Sequence, residues 1–194
     1  RQLMQPDLVH IHCPQRLTIG VTDVCRALNV PYMITLHDSW WISDYPFLVR
    51  EDGSSIRLDA VPPKQTYSHR IGLPRSLERA VRLRDALHHA TLLIGVSKSY
   101  SEMYRRLGFD ILTVENGISP PANLKRVPGN GHVRLGHFGG MEWHKGAHIL
   151  EEALRKGKFK NLTLMIMDFS REAGTIVHEM WGTTPVTILS LIHI

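Results

Sequence analysis

The chain has 194 residues, 43% hydrophobic and 21% charged, with a formal net charge of +5. This composition can bury a core, and it excludes a disordered chain, a collagen and, with two cysteines beside twelve histidines, a disulfide scaffold. No apolar run approaches the roughly 20 residues that a membrane-spanning helix needs.

The two cysteines fit a reducing compartment, so a cytoplasmic location is expected. The chain opens at Arg1, with no initiator methionine and no signal peptide ahead of the first strand-like run. It closes on Leu189-Ser190-Leu191-Ile192-His193-Ile194, which resembles a translated sequencing adaptor. Residues 189–194 are therefore expected to be a non-native tail, and the chain an internal fragment of a longer protein.

In chain order, Leu8-Val9-His10-Ile11-His12 reads as a strand after Pro6-Asp7. Leu17, Val21, Val24, Cys25 and Leu28 recur at helical spacing, with Cys25 as a small buried hydrophobe. Residues 32–36, announced by Pro31, form the next strand. Residues 43–75, broken by Pro46, Gly53, Pro62, Pro63, Gly72 and Pro74, form a long loop that is functional, mobile or partly helical. A helix is expected after Pro74, capped by Ser76, with Leu77, Ala80, Val81 and Leu87 on one face. Residues 91–96 make a strand. Ser99 with Glu102 suggests a capping box, Gly108 a helix stop, and residues 111–114 a fourth strand.

Residues 119–132, with Pro120, Pro121, Pro128, Gly129 and Gly131, read as a linker. Beyond it come a strand at 133–138, a helix at 146–156, a strand at 162–167, a weaker helix at 171–180 and an apolar run at 186–189. Alternating strands and helices imply an α/β chain: two units, 1–118 and 133–188, with parallel sheets covered on both faces.

Unusual polar residues fall at the carboxyl ends of these strands, where open α/β sheets bind ligands. They are His12-Cys13, His37-Asp38 with Trp40-Trp41, Ser97, Glu115-Asn116-Gly117 and Gly139-Gly140. The pattern suggests a cleft to which both units contribute. In the run 136–146, glycines let backbone approach a ligand closely, and the following helix offers free amides to a phosphate. Lys145 adds a positive charge just before that helix, although the spacing is neither a dinucleotide fingerprint nor a P-loop.

Other clusters have plainer readings. His10 and His12 share one side of their strand and leave Cys13 on the other, which favours a packed strand end over a metal site. His144 and His148 are four apart but lack a third ligand. His88-His89 closes a helix, Trp40 and Trp41 are core aromatics or a sugar-stacking platform, and Asn116-Gly117 is a turn. The basic stretch 64–84 holds Lys64, Arg70, Arg75, Arg79, Arg82 and Arg84 against Glu78. It suits nucleic acid, an anionic membrane, a phosphorylated substrate or a solvated helix face.

The segments PDLVHIH, YMITLHD, LLIGVSKSYSEMYRRLG, ILTVENGI and VRLGHFGGMEWHKGAHILEEAL follow one another in this chain. In that order and spacing, over roughly 6–167, the chain resembles glycosyltransferase family 4, of GT-B fold. The resemblance implies two Rossmann-like parallel-sheet domains, both truncated here. It also implies a hexosyltransferase that moves a sugar from a nucleotide-diphosphate-sugar donor with retained configuration, without a metal or other cofactor. His37 matches the family histidine that lines the transfer site. Lys145 matches the basic residue on the donor pyrophosphate, and Gly139-Gly140 the adjacent turn. Many members carry arginine where Gly140 stands. Asp38, Trp40 and Asn116 become candidate contacts to the sugar or acceptor.

The family's downstream pair of glutamates, which holds donor sugar and ribose, is absent, as is the first glycine-rich loop. The chain alone is therefore expected to be inactive. The acceptor, a sugar, lipid or small molecule, is not specified. Peripheral contact with the anionic inner face of a membrane is expected, and nucleic acid is not. Alternatives are a GT-B-like sugar-nucleotide epimerase or phosphorylase, or a basic α/β module that binds nucleic acid.

Overall fold

The computed structural model describes residues 6–14, 18–58, 67–68, 70–119 and 131–190. Contacts divide the chain into two units, residues 1–120 and 121–194.

Unit 1 contains β1 (Val9–Ile11), α1 (Gly20–Ala27), β2 (Tyr32–Leu36), α2 (Leu73–His88), β3 (Leu92–Gly95), α3 (Lys98–Arg106) and β4 (Leu112–Thr113). The strands lie side by side in the order β1-β2-β3-β4, and every pair is parallel. Right-handed crossovers between strands laid down in sequence put successive helices on one face of the sheet. That face carries Ile11, Tyr32, Ile34, Leu36 and Leu93, which pack with Cys25, Leu83, Ala86, Leu87 and Tyr104 into the core. The alternate face carries exposed His10, Leu92 and Leu112, half-buried Met33 and Ile94 and buried Thr35, and no described helix of the unit packs its core side there. The expectation of helices on both faces therefore fails for the described residues, because the strand order sends the crossovers the same way.

The helix details also differ from the sequence expectation. Val24 and Leu28 of the expected α1 stripe are exposed, while Thr22 and Cys25 are buried; Leu17 lies outside the described residues. Ser76 is not the cap of α2. Gly72, at φ +82°, precedes the helix, and Ser76 is fully buried, donating its hydroxyl to Asp44 Oδ2. Leu77 and Val81 are exposed and Ala80 is half-buried; Leu87 faces the core as expected, joined there by Leu83 and Ala86. The reason is the segment 39–58, which docks on α2 through a polar latch and sets its rotation. Arg79 donates to Asp44 Oδ1 at 3.1 Å and to the carbonyls of Trp40 and Ser43. The Asp44 side chain is only 1% exposed. Within that segment Val49 bridges Ser55 in antiparallel fashion. At α3, Ser97 rather than Ser99 caps the helix by accepting from the Tyr100 amide, and Gly108, at φ +89°, ends it as expected.

Unit 2 contains β5 (Val133–His137), a 3-10 turn (Trp143–Lys145), α4 (Ala147–Lys156), β6 (Leu162–Met167), β7 (Ile176–Trp181) and β8 (Thr184–Leu189). The sheet order is β5-β6-β8-β7, parallel except for β7, which pairs antiparallel with β8 along six residues. The expected helix at 171–180 is thus a strand of a hairpin. Ile176 and Val177 are β-branched, and Gly182, at φ +64°, makes a turn that an L side chain rarely adopts. The core gathers Leu154, Leu164, Ile166, Trp181, Val186 and Ile188.

The expected tail boundary at residue 189 falls inside this sheet. Leu189 pairs with Met167 and Ile176, and buried Ser190 donates its hydroxyl to the Arg171 carbonyl. Residues 191–194, like 120–130 of the expected linker, lie outside the described residues. Among the described residues no helix is long and apolar enough to cross a membrane.

Candidate active site

In unit 1 the candidate residues cluster past the carboxyl ends of β1 and β2. Parallel pairing sets His10 against Met33 and Ile11 against Ile34, which carries His12 to the level of Thr35, and His37 follows two residues further out on the same face of the neighbouring strand. Nδ1 of His12 and Nε2 of His37 share a hydrogen bond at 2.9 Å. His10 lies beneath, its ring tilted 41° to that of His12 with centroids 4.1 Å apart, and its Nε2 bonded to Thr35 Oγ1 at 2.7 Å. Desolvation, then repulsion from His12 and His37, pulls the His10 imidazole below its ordinary pKa, so it favours the neutral form. The two histidines weighed in the sequence as a packed strand end are therefore tied to His37. Alternate residues on adjacent parallel strands share a face, a partial signal, since the pairing of β1 with β2 is set by the sheet.

Asp38 and Trp40 follow His37 on one tight turn. Asp38 Oδ1 accepts the Trp40 amide at 2.8 Å, and the Asp38 carbonyl accepts the Tyr104 hydroxyl. Trp40 stands edge-on to buried Trp41, and the Arg79 guanidinium lies 4.6 Å from its ring centroid. Trp40, Arg75, Glu78 and Arg79 line a cavity of about 320 Å³ with Thr18 and Ile19 at the start of α1. Thr18 has φ +98°, rare for a β-branched residue and typical of strain held at functional sites. Asn116 lies past β4, two strands from β2, its amide donating to the Val96 carbonyl beyond β3, and it is exposed.

In unit 2 the structure brings Gly139 and Lys145 together. A Cβ at Gly139 would lie 2.7 Å from Lys145 Cβ and 3.0 Å from the His137 ring, so only glycine fits. Gly140, at φ +68°, gives its carbonyl to His137 Nε2 at 3.0 Å. The chain then turns through Trp143–Lys145 and through Gly146, at φ +80°, into α4. The Ile149 amide donates to the Gly146 carbonyl, whereas the amides of Ala147 and His148, the first two of α4, have no acceptor within the helix, so Lys145 and a helix amino terminus stand at one point. The Trp143 ring stacks on His148 at 3.5 Å, which fixes the outer wall of the turn.

Asp168, at the end of β6, was not singled out in the sequence. It is 2% exposed, and a Cβ at Gly140 would lie 3.5 Å from its Oδ1. Burial works to raise its pKa. Hydrogen bonds from the Ser170 amide and hydroxyl and from Arg171 outweigh burial, leaving the carboxyl below its ordinary value. A carboxylate ending a buried parallel strand was the available clue.

The basic stretch is largely engaged within unit 1. Arg79 pairs with Asp44, Arg82 with Asp23, and Arg84 bonds the Leu107 carbonyl over the Phe109 ring. Lys64 lies outside the described residues. Among the described residues, no group of three or more His, Cys, Asp or Glu could hold a metal ion. No individual curated protein sequence matches the chain. The family model described as Glycosyltransferase Family 4 matches residues 1–120, which include the His12–His37 pair, the Asp38–Trp40 turn and the cavity. The chain belongs to Glycosyltransferase Family 4.

Proposed function

We propose that this glycosyltransferase moves a hexose from a nucleotide-diphosphate-sugar to an acceptor with retained anomeric configuration. The single observation that carries the donor class is the turn at Gly139, closed against Lys145 at the head of α4. The acceptor oxygen bonds the anomeric carbon as the bond from that carbon to the diphosphate breaks, the hydroxyl proton passes to a departing phosphate oxygen, and negative charge develops on the departing diphosphate. The Lys145 ammonium and the first amides of α4 meet that charge, the kind of preorganised stabilisation that dominates such chemistry. Gly139 and Gly140 let the backbone reach the phosphates, and a side chain at Gly139 would push Lys145 away. Retention is carried by the resemblance of these segments to the family.

His37 contacts the transferred sugar or the attacking acceptor oxygen. The 320 Å³ cavity beside Trp40 takes part of the acceptor, where Arg75 and Glu78 suit hydroxyl or charged groups. The nucleic-acid reading loses ground because Arg79, Arg82 and Arg84 are already bonded within the unit.

Amide shift mapping with a panel of UDP- and GDP-hexoses tests the donor reading. Shifts concentrated at residues 139–148 are expected; saturable binding that leaves those amides unmoved overturns it. Proton NMR of the product anomer, from a form of the enzyme that turns over, reads the configuration, and an inverted product contradicts retention.

A further inference from the structure

We infer that His12 is a positioning residue for His37: it engages Nε2 of that ring, so that His37 turns Nδ1 toward the substrate. The inference rests on the reading that His37 lines the transfer site. An imidazole has two nitrogens of opposite role when neutral, and which one carries the proton is set by the partner of the other. In this protein the partner is another imidazole. Nδ1 of His12 lies 2.9 Å from Nε2 of His37, with ring centroids 5.2 Å apart. Among the described residues, Nδ1 of His37 has no hydrogen-bond partner, and His37 is exposed.

The support extends behind His12. Its ring rests against that of His10, 4.1 Å between centroids, and His10 is anchored through Nε2 to Thr35, itself 6% exposed. Thr35 lies on β2, two residues before His37. The chain Thr35, His10, His12, His37 thus runs from buried sheet to exposed strand end and returns to the strand it left. An exposed imidazole on one strand would otherwise rotate between its two ring orientations and two tautomers. A second-layer partner that selects one of them is a common way for a site to fix a functional histidine.

The test needs no donor, so its failure is distinct from failure of the transferase reading, which the amide mapping above decides. Histidine-15N-labelled protein is examined by long-range proton–nitrogen NMR, the His37 signals being identified by their loss in His37→Gln. In the wild type, one His37 tautomer and a nitrogen–nitrogen coupling across the His12–His37 hydrogen bond are expected. His12→Phe keeps a ring without a hydrogen bond, and should return His37 to the mixed tautomers of a free imidazole. His12→Asn places an amide near the lost Nδ1 and should restore a single tautomer. The same His37 tautomer ratio in wild type and His12→Phe overturns the inference. Should His12→Phe fail to fold, absence of the cross-bond coupling in the wild type overturns it equally.

Discussion

The two units handle polarity in opposite ways. Unit 1 buries a charged latch, Asp44 with Arg79 and Ser76, and uses it to seat an irregular segment on α2. Unit 2 builds its core from one helix against one sheet face, and leaves Met165, Ile176 and Met180 of its strands exposed. Irregular segments need internal hydrogen bonds before they can be buried, whereas a hairpin supplies its own. The difference teaches where each unit is vulnerable: unit 1 at a few interior polar groups, unit 2 at the turn that closes its hairpin.

The largest expected effect follows from the latch. Arg79→Ala leaves the Asp44 carboxylate buried without its cation and should cost about 3–5 kcal/mol. Hydrogen exchange should show protection lost in β2 and α2 while β7 and β8 keep theirs. Loss of protection across both units would break the comparison. Gly182→Ala is the counterpart in unit 2. Its Cβ would meet the Leu154 carbonyl oxygen at 2.5 Å, at a positive φ, and about 1–3 kcal/mol should be lost from β7 and β8 alone.

The pH windows of the units should also differ. Burial of the Tyr32 phenol, which donates to the Ala86 carbonyl, pushes its pKa from 10.0 up to about 12. The folded state holds that proton more tightly, so unit 1 should lose stability as pH rises from 10 towards 12. Asp168 has the opposite sign. Its depressed carboxyl contributes stability above the ordinary value of 3.8, and unit 2 should lose it as pH falls below. Unfolding followed at both extremes, with Tyr32→Phe and Asp168→Asn as controls, reads the two windows. The smallest effect is expected at the partly exposed Arg155–Glu151 pair, where Glu151→Ala should change stability by about 0.5 kcal/mol or less.

The same contrast explains what was legible in the sequence. Short apolar runs after Pro31, at 91–96 and at 162–167 located buried parallel strands, because parallel strands concentrate apolar residues in one run. Helix faces were less legible. Leu77 and Val81 have the right spacing for a core stripe, but the buried hydroxyl of Ser76 and the Arg79 latch turn α2 the other way, a tertiary effect invisible to periodicity. Residues 171–180 mix helix formers such as Glu172, Ala173 and Glu179 with a strand pair, Ile176-Val177, and pairing with β8 decides the outcome. At the candidate site, His37 and the Gly139–Lys145 turn were visible from their places at strand ends. The His12 partnership and Asp168 were not drawn from sequence, because each depends on register with a neighbouring strand.

Calorimetric titration of wild type and Lys145→Ala with UDP and GDP, alongside the parent nucleosides, tests the central claim most directly. The ammonium addresses phosphates only, through a contact worth about 1.5–3 kcal/mol, so diphosphate affinity should fall about ten- to a hundredfold. Nucleoside affinity should stay unchanged, and His37→Ala should leave diphosphate affinity as it was. Equal diphosphate affinity in wild type and Lys145→Ala would contradict the phosphate site, and with it the nucleotide-sugar donor.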